Sequence, residues 1–198
     1  MRKAEDFLIP FETTEYGKKD ENKSWRFVYD WLDSLIYAII LILIIFAFFF
    51  RVVGVNGDSM NPTLKSGDWL TVSAITTEVE RGDIVVITQP NSLNEPLIKR
   101  VIAKGGDKIN IDYIEGTITV NGMTLYEPYI TEQIEAAGDF VYPLEIPEGY
   151  IFVMGDNRND SLDSRFKVIG LIDERYVLGV ANARIYPFGD WNINDEKK

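Results

Sequence analysis

Ser59 stands in the octapeptide Gly57-Asp58-Ser59-Met60-Asn61-Pro62-Thr63-Leu64. Gly57 and Pro62 mark a tight, constrained turn. The chain contains no histidine, so a Ser-His-Asp hydrolase is excluded. The stretch is not G-x-S-x-G either, because the last Gly is missing and no helix pattern follows. If Ser59 is a nucleophile, the best remaining base is a lysine. Taken alone, a serine here is also an ordinary turn residue.

Lys99 is the lysine with the right surroundings. In Leu97-Ile98-Lys99-Arg100-Val101-Ile102-Ala103, strand alternation puts Leu97, Lys99, Val101 and Ala103 on one face. Ile98, Arg100 and Ile102 point the other way. If both faces of the sheet are covered, one of the two cations must meet an apolar layer. A desolvated lysine loses its proton more readily, and the neutral amine accepts a proton from a serine hydroxyl. The competing reading is an edge strand with Lys99 in solvent and Arg100 in a salt bridge.

The third polar cluster is Gly155-Asp156-Asn157-Arg158-Asn159-Asp160-Ser161-Leu162-Asp163-Ser164-Arg165. It follows an expected strand over 150–153. Asp163 and Arg165 suit a bidentate pair, and Ser161 suits a hydrogen bond that orients a neutral lysine. A calcium loop is a rival because Asp156, Arg158 and Asp160 fall at alternate positions. Arg158 at the third position and Ser161 at the sixth break the EF-hand pattern. The usual zinc ligands, His and Cys, are missing altogether. No metal or cofactor is expected.

Charge narrows the partners. The net charge over 198 residues is −11, which makes the chain a poor match for nucleic acid, whose binding depends on neutralising phosphates. The absence of cysteine removes any disulfide framework and says nothing of compartment.

Several elements must position these residues. Residues 34–50 are almost all Leu, Ile, Phe and Ala without a charge. As a helix they span roughly 26 Å, slightly short of a ~30 Å hydrocarbon core, and flanking apolar residues extend them. Trp25, Val28, Tyr29 and Leu32 fall on one helical face and read as an interfacial turn entering the membrane. Lys18, Lys19, Lys23 and Arg26 precede the run, which favours a cytoplasmic N-terminus by the positive-inside rule. After 55 the chain reads as short strands, at 69–72, 83–87, 97–103, 108–111, 117–120, 150–154 and 181–186, separated by Gly-, Pro- and Asp-rich turns. Asn121-Gly122 is the strongest hairpin signal. Residues 127–147 carry weak patterning and read as an extended loop. The predicted fold is mainly β, with one transmembrane helix before an antiparallel β domain. The expected divisions are a cytoplasmic tail and interfacial segment over 1–33, an anchor over 34–54, an extracytoplasmic domain over 55–190 and a C-terminal tail over 191–198.

Taken together, these segments resemble the type I signal peptidases, membrane-anchored Ser-Lys proteases that remove signal peptides from exported proteins. Residues 57–64 resemble the nucleophile box of that family, and Arg81-Gly82-Asp83-Ile84-Val85-Val86 its R-G-D-[IV]-V strand. Residues 98–102 with Gly106-Asp107 resemble the lysine box, and residues 155–165 the G-D-N-R-x-x-S-x-D-S-R loop. The resemblance implies Ser59 as nucleophile and Lys99 as general base. Ser161 would hydrogen-bond Lys99, Asp163 and Arg165 would brace the loop, and Gly57, Met60 and Gly155 would support the site. The implied fold is the family's antiparallel β architecture. The implied substrates are preproteins cut after small–x–small sites, and the phospholipid membrane and a secretion translocase are candidate partners. Some members carry a serine where this chain has Gly57, adding a donor to the oxyanion hole; here the hole would rely on backbone N–H, that of Ser59 first. The single anchor and short domain resemble the Gram-positive type. Two other classes share features with the chain: a self-cleaving Ser-Lys repressor, and a silent membrane-tethered binding domain.

Overall fold

A computed structural model describes residues 22–73, 78–90, 95–136, 138–188 and 193. The expected N-terminal tail up to residue 21 and nearly all of the C-terminal tail lie outside them. The chain divides into two compact units, Met1–Leu43 and Ile44–Lys198. Helix α1 (Asn22–Phe49) supplies the described part of the first and opens the second. The expected interfacial turn and anchor are thus one continuous helix. Its stretch Trp25–Ala47 is long and apolar enough to cross a membrane, with a mean hydropathy of 2.1. Leu41, Ile42 and Leu43 in its middle are exposed, as a lipid-facing surface requires.

The rest is mostly antiparallel β structure. One sheet has seven strands, β1 (Phe50–Gly54), β2 (Trp69–Ser73), β3 (Ile84–Ile87), β4 (Leu97–Lys104), β9 (Tyr150–Met154), β10 (Ile172–Asp173) and β11 (Val177–Tyr186), in the order β1-β2-β11-β3-β4-β9-β10. A sheet of four strands has the order β7-β6-β5-β8, from β5 (Lys108–Asp112), β6 (Thr117–Val120), β7 (Met123–Thr124) and β8 (Leu144–Glu145). All seven expected strands are present, six with shifts of at most one residue at an end, and the last starting four residues early at Val177. Residues 50–54, which hydropathy assigns to the anchor, form β1 instead, pairing Val52 with Thr71 and Gly54 with Trp69. Apolar content alone does not separate a helix end from a β-branched strand such as Arg51-Val52-Val53.

Turn chemistry sets the registers. Asn121 and Gly122 both take positive φ, 55° and 80°, the conformation of a tight hairpin between β6 and β7. Three Gly-Asp turns share one device: the carboxylates of Asp68, Asp83 and Asp107 accept the N–H of Lys65, Glu80 and Lys104 at 2.9, 2.8 and 2.9 Å. Each carboxylate thereby closes a loop between strands.

Strand β4 is buried on both faces. Leu97 and Val101 pack with Val85, Ile87, Ile151 and Val153. Ile102 and Ala103 pack instead with Ile109, Ile118, Ile146 and Phe152. Ala103 therefore leaves the face expected from strict alternation. A register shift against β9 between Val101 and Ala103 is the cause, since one extra residue reverses every later side chain.

Candidate active site

The turn carrying Ser59 is nailed down by its neighbours. Met60 and Leu64 are 1% and 0% exposed, and they pack with Val55, Leu70, Ile84 and Ala181. The Leu64 N–H donates to the Met60 carbonyl at 2.9 Å, and the Asn61 N–H to that of Asp58 at 3.0 Å. Burying Met60 turns the preceding side chain outward, so Ser59 is only half-buried. Met60 supports the site through packing. Gly57 takes a φ of 95°, a conformation that costs L residues strain. The Ser59 N–H is engaged by no described residue, and it is the donor expected for an oxyanion.

Lys99 comes to this serine from the middle of the sheet. It is 3% exposed, sits opposite Val85 and lies between Leu97 and Val101 on their apolar face. Its Nζ donates to Ser59 Oγ at 2.6 Å. Burial lowers its pKa first of all; the more distant carboxylates of Asp163 and Asp156 oppose the shift, and Arg165 adds to it. Among the described residues no carboxylate forms an ion pair with Lys99. The solvent-edge alternative for Lys99 does not hold.

The loop after β9 closes the site. Arg165 grips Asp163 through both ends of its guanidinium, Nε to Oδ1 at 2.7 Å and Nη2 to Oδ2 at 2.9 Å. Asp163 Oδ2 also accepts the Gly155 N–H at 3.0 Å. The expected brace is therefore present and reaches Gly155. Gly155 itself sits where any Cβ would overlap Ser59 O, Ser161 Oγ and Ser161 Cβ. A side chain there would push the loop off Ser59. The Asn157 N–H donates to Ser59 O at 3.1 Å, tying the two segments together.

Ser161 is the exception. Its Oγ is buried with no hydrogen-bond partner among the described residues, so the bond to Lys99 expected from the resemblance is not formed. The backbone places the hydroxyl against Gly155, and Lys99 spends its contact on Ser59.

Other members of the site have only weak sequence signals. Arg100 donates to Asp156 from Nε at 2.8 Å and Nη2 at 2.6 Å, and Thr63 Oγ1 donates to the same carboxylate at 2.6 Å. Arg158 pairs with Glu127 through Nη1 and Nη2 at 2.9 and 2.6 Å. Tyr129 lies between the two cations, 3.9 Å from the Arg100 guanidinium carbon. The pairing of Arg100 was foreseeable from alternation on β4. Glu127 and Tyr129 sit in a segment without periodicity, where only their acidic and aromatic types hint at a role.

Beside Ser59 runs a groove of about 360 Å³, lined by Val53, Gly57, Met60, Leu97, Lys99 and Leu162 among others. Two unpaired strand edges border it. Strand β1 ends the sheet. Strand β4 meets β9 only from Arg100 onward, which leaves the other side of Leu97–Lys99 without a strand among the described residues. Such edges accept an extended peptide by backbone hydrogen bonding, with alternate side chains falling into pockets.

Comparison with known proteins gives the family. Residues 28–186 match the family model described as signal peptidase, peptidase S26. The chain is 37% identical over 189 residues to signal peptidase I of Bacillus licheniformis, covering 90% of this chain and 98% of that protein. It is 33% identical over 183 residues to signal peptidase IB of Staphylococcus aureus (strain MRSA252), covering 83% and 93%. A crystal structure of a signal peptidase I from Enterococcus faecalis V583 aligns at 29% identity with a TM-score of 0.43, over 52% of this chain and 97% of that one. The chain belongs to the signal peptidase I family of S26 peptidases.

Proposed function

We propose that Ser59 and Lys99 form the catalytic dyad of this signal peptidase, and that it cuts preproteins after small–x–small sites at the outer membrane surface. One observation supports the dyad above others: a buried lysine with no ion-pair partner among the described residues stands 2.6 Å from a serine oxygen. At that separation a neutral amine takes the hydroxyl proton directly.

The substrate segment before the cut lies extended between the edges of β1 and β4. Ser59 Oγ bonds to the carbonyl carbon while its proton passes to Lys99 Nζ. The Ser59 N–H stabilises the oxyanion. The scissile C–N bond breaks, Lys99 returns the proton to the leaving amine, and an ester to Ser59 remains. Lys99 then takes a proton from water, the hydroxide attacks the ester, and Ser59 is released with its proton restored.

The apolar helix and the basic residues before it support a single-pass anchor with the N-terminus in the cytoplasm and the catalytic domain outside. Ser59 follows Phe50 closely enough to lie within ~30 Å of it along the chain, which keeps the cut near lipid. The secretion translocase, which delivers such segments, is the natural neighbour there. Changing the residue before the cut from Ala to Leu in one precursor tests specificity. The larger side chain overlaps the groove wall, and packed walls yield little; processing stops. Equal processing of both would refute the small-residue rule. Protection of residues 55–188 from external protease in intact spheroplasts would refute the orientation.

A further inference from the structure

The segment between β7 and β8 reaches under the active site, and its residues Glu127 and Tyr129 touch the loop that holds the nucleophile. Neither lines the substrate groove. Tyr129 is 8% exposed. Its ring faces the Arg100 guanidinium at 3.9 Å and that of Arg158 at 5.9 Å, and its hydroxyl donates to Glu127 Oε1 at 2.9 Å. Glu127 takes both terminal nitrogens of Arg158, whose Nε donates to the Gly155 carbonyl at 3.2 Å. Gly155 is the residue packed against Ser59 O and Ser161. Arg100, under the Tyr129 ring, holds Asp156, and Asp156 holds Thr63 of the nucleophile turn.

We infer that Glu127 and Tyr129 are positioning residues for the peptidase reaction: through Arg158 and Arg100 they clamp Gly155 and Asp156 so that the loop seats Ser59 against Lys99. The inference rests on the Ser59–Lys99 reading. Two physical facts drive it. A buried arginine is a rigid fork only while its carboxylate is present. A small displacement of a reacting group costs rate out of proportion to its size. Because the clamp lies behind the site, it acts on turnover and leaves substrate binding alone.

The test uses the full chain in detergent, with kcat counted per folded molecule. Glu127→Gln removes the charge and lowers kcat about 10- to 100-fold, with KM changed by less than about twofold. Glu127→Asp, which keeps the charge, recovers part of the loss. Tyr129→Phe keeps the ring on Arg100, loses only the bond to Glu127, and falls between wild type and Glu127→Gln. The charge swap Glu127→Arg with Arg158→Glu restores the urea midpoint but not kcat, because a carboxylate at 158 donates nothing to the Gly155 carbonyl. A kcat for folded Glu127→Gln equal to wild type, an effect confined to KM, or full recovery of kcat by the swap would each overturn the inference. If the swapped protein does not fold, Glu127→Gln and Tyr129→Phe decide alone. Ser59→Ala is run alongside: turnover by that variant would remove the dyad reading, whereas a dead Ser59→Ala with a normal Glu127→Gln would remove the clamp only.

Discussion

Lys99 and Arg100 are neighbours on β4, both buried, and their two faces are built on opposite principles. On the Arg100 side the described arginines are matched. Arg100 has Asp156, and Arg158, across the Tyr129 ring, has Glu127, each at 2.6 Å. On the Lys99 side there are aliphatic side chains and one serine hydroxyl. Paired charges of fixed geometry make a scaffold that holds its shape. An unmatched ammonium in an apolar layer gives up its proton, which is what a base for serine needs. With Lys99 as the proposed base, the same burial serves rigidity on one face and reactivity on the other, and the difference lies in whether a carboxylate was supplied.

The sharpest break of that contrast is Lys99→Arg. A guanidinium does not deprotonate in the working range, so turnover falls by roughly 10³-fold or more, as it does for Ser59→Ala, while the β domain stays folded. Appreciable cleavage by folded Lys99→Arg protein would remove Lys99 as the base. On the other face the loss appears in stability. Asp156→Asn strands the Arg100 charge in the interior and costs about 3–5 kcal/mol, read from denaturant unfolding. A cost within error of zero would show that the pair is solvated rather than buried.

A smaller effect sharpens the comparison. The Lys99 pKa is lowered from 10.5 in the folded chain. Between the lowered value and 10.5 the unfolded state holds a proton that the native state has lost, so this group makes stability rise with pH across that window. Below it both states are protonated and the native state carries the full burden of a buried ammonium. Lys99→Met removes the burden. The variant is more stable than wild type at the acidic side, and the two converge as the pH approaches 10.5. Urea midpoints across that range check the slope; a constant difference would mean that Lys99 titrates normally.

Much of this was legible in the residues, for reasons that differ by element. The alternation in Leu97–Val101 and the missing histidine pointed to Lys99 and Ser59, because strand period and chemical elimination are both local signals. Local rules also located the strands and the Asn121-Gly122 hairpin. What they missed is non-local. Strand β1 exists because Val52 finds Thr71 across the sheet, which hydropathy does not see. Ala103 changes faces because of a bulge set by β9. Glu127 meets Arg158 across 31 positions of chain, from a stretch between β7 and β8 that forms no regular element and so carries no periodic pattern. The hydrogen bond anticipated from Ser161 to Lys99 is replaced by packing of that hydroxyl on Gly155.

The dependence of kcat/KM on pH tests the central claim most directly, because with no imidazole in the chain the acidic limb belongs to the base itself. Desolvated Lys99 predicts activity that rises with pH and levels off with an apparent pKa well below the ~10.4 of free lysine. A profile that keeps climbing until about pH 10 would contradict a neutral Lys99 as the base for Ser59.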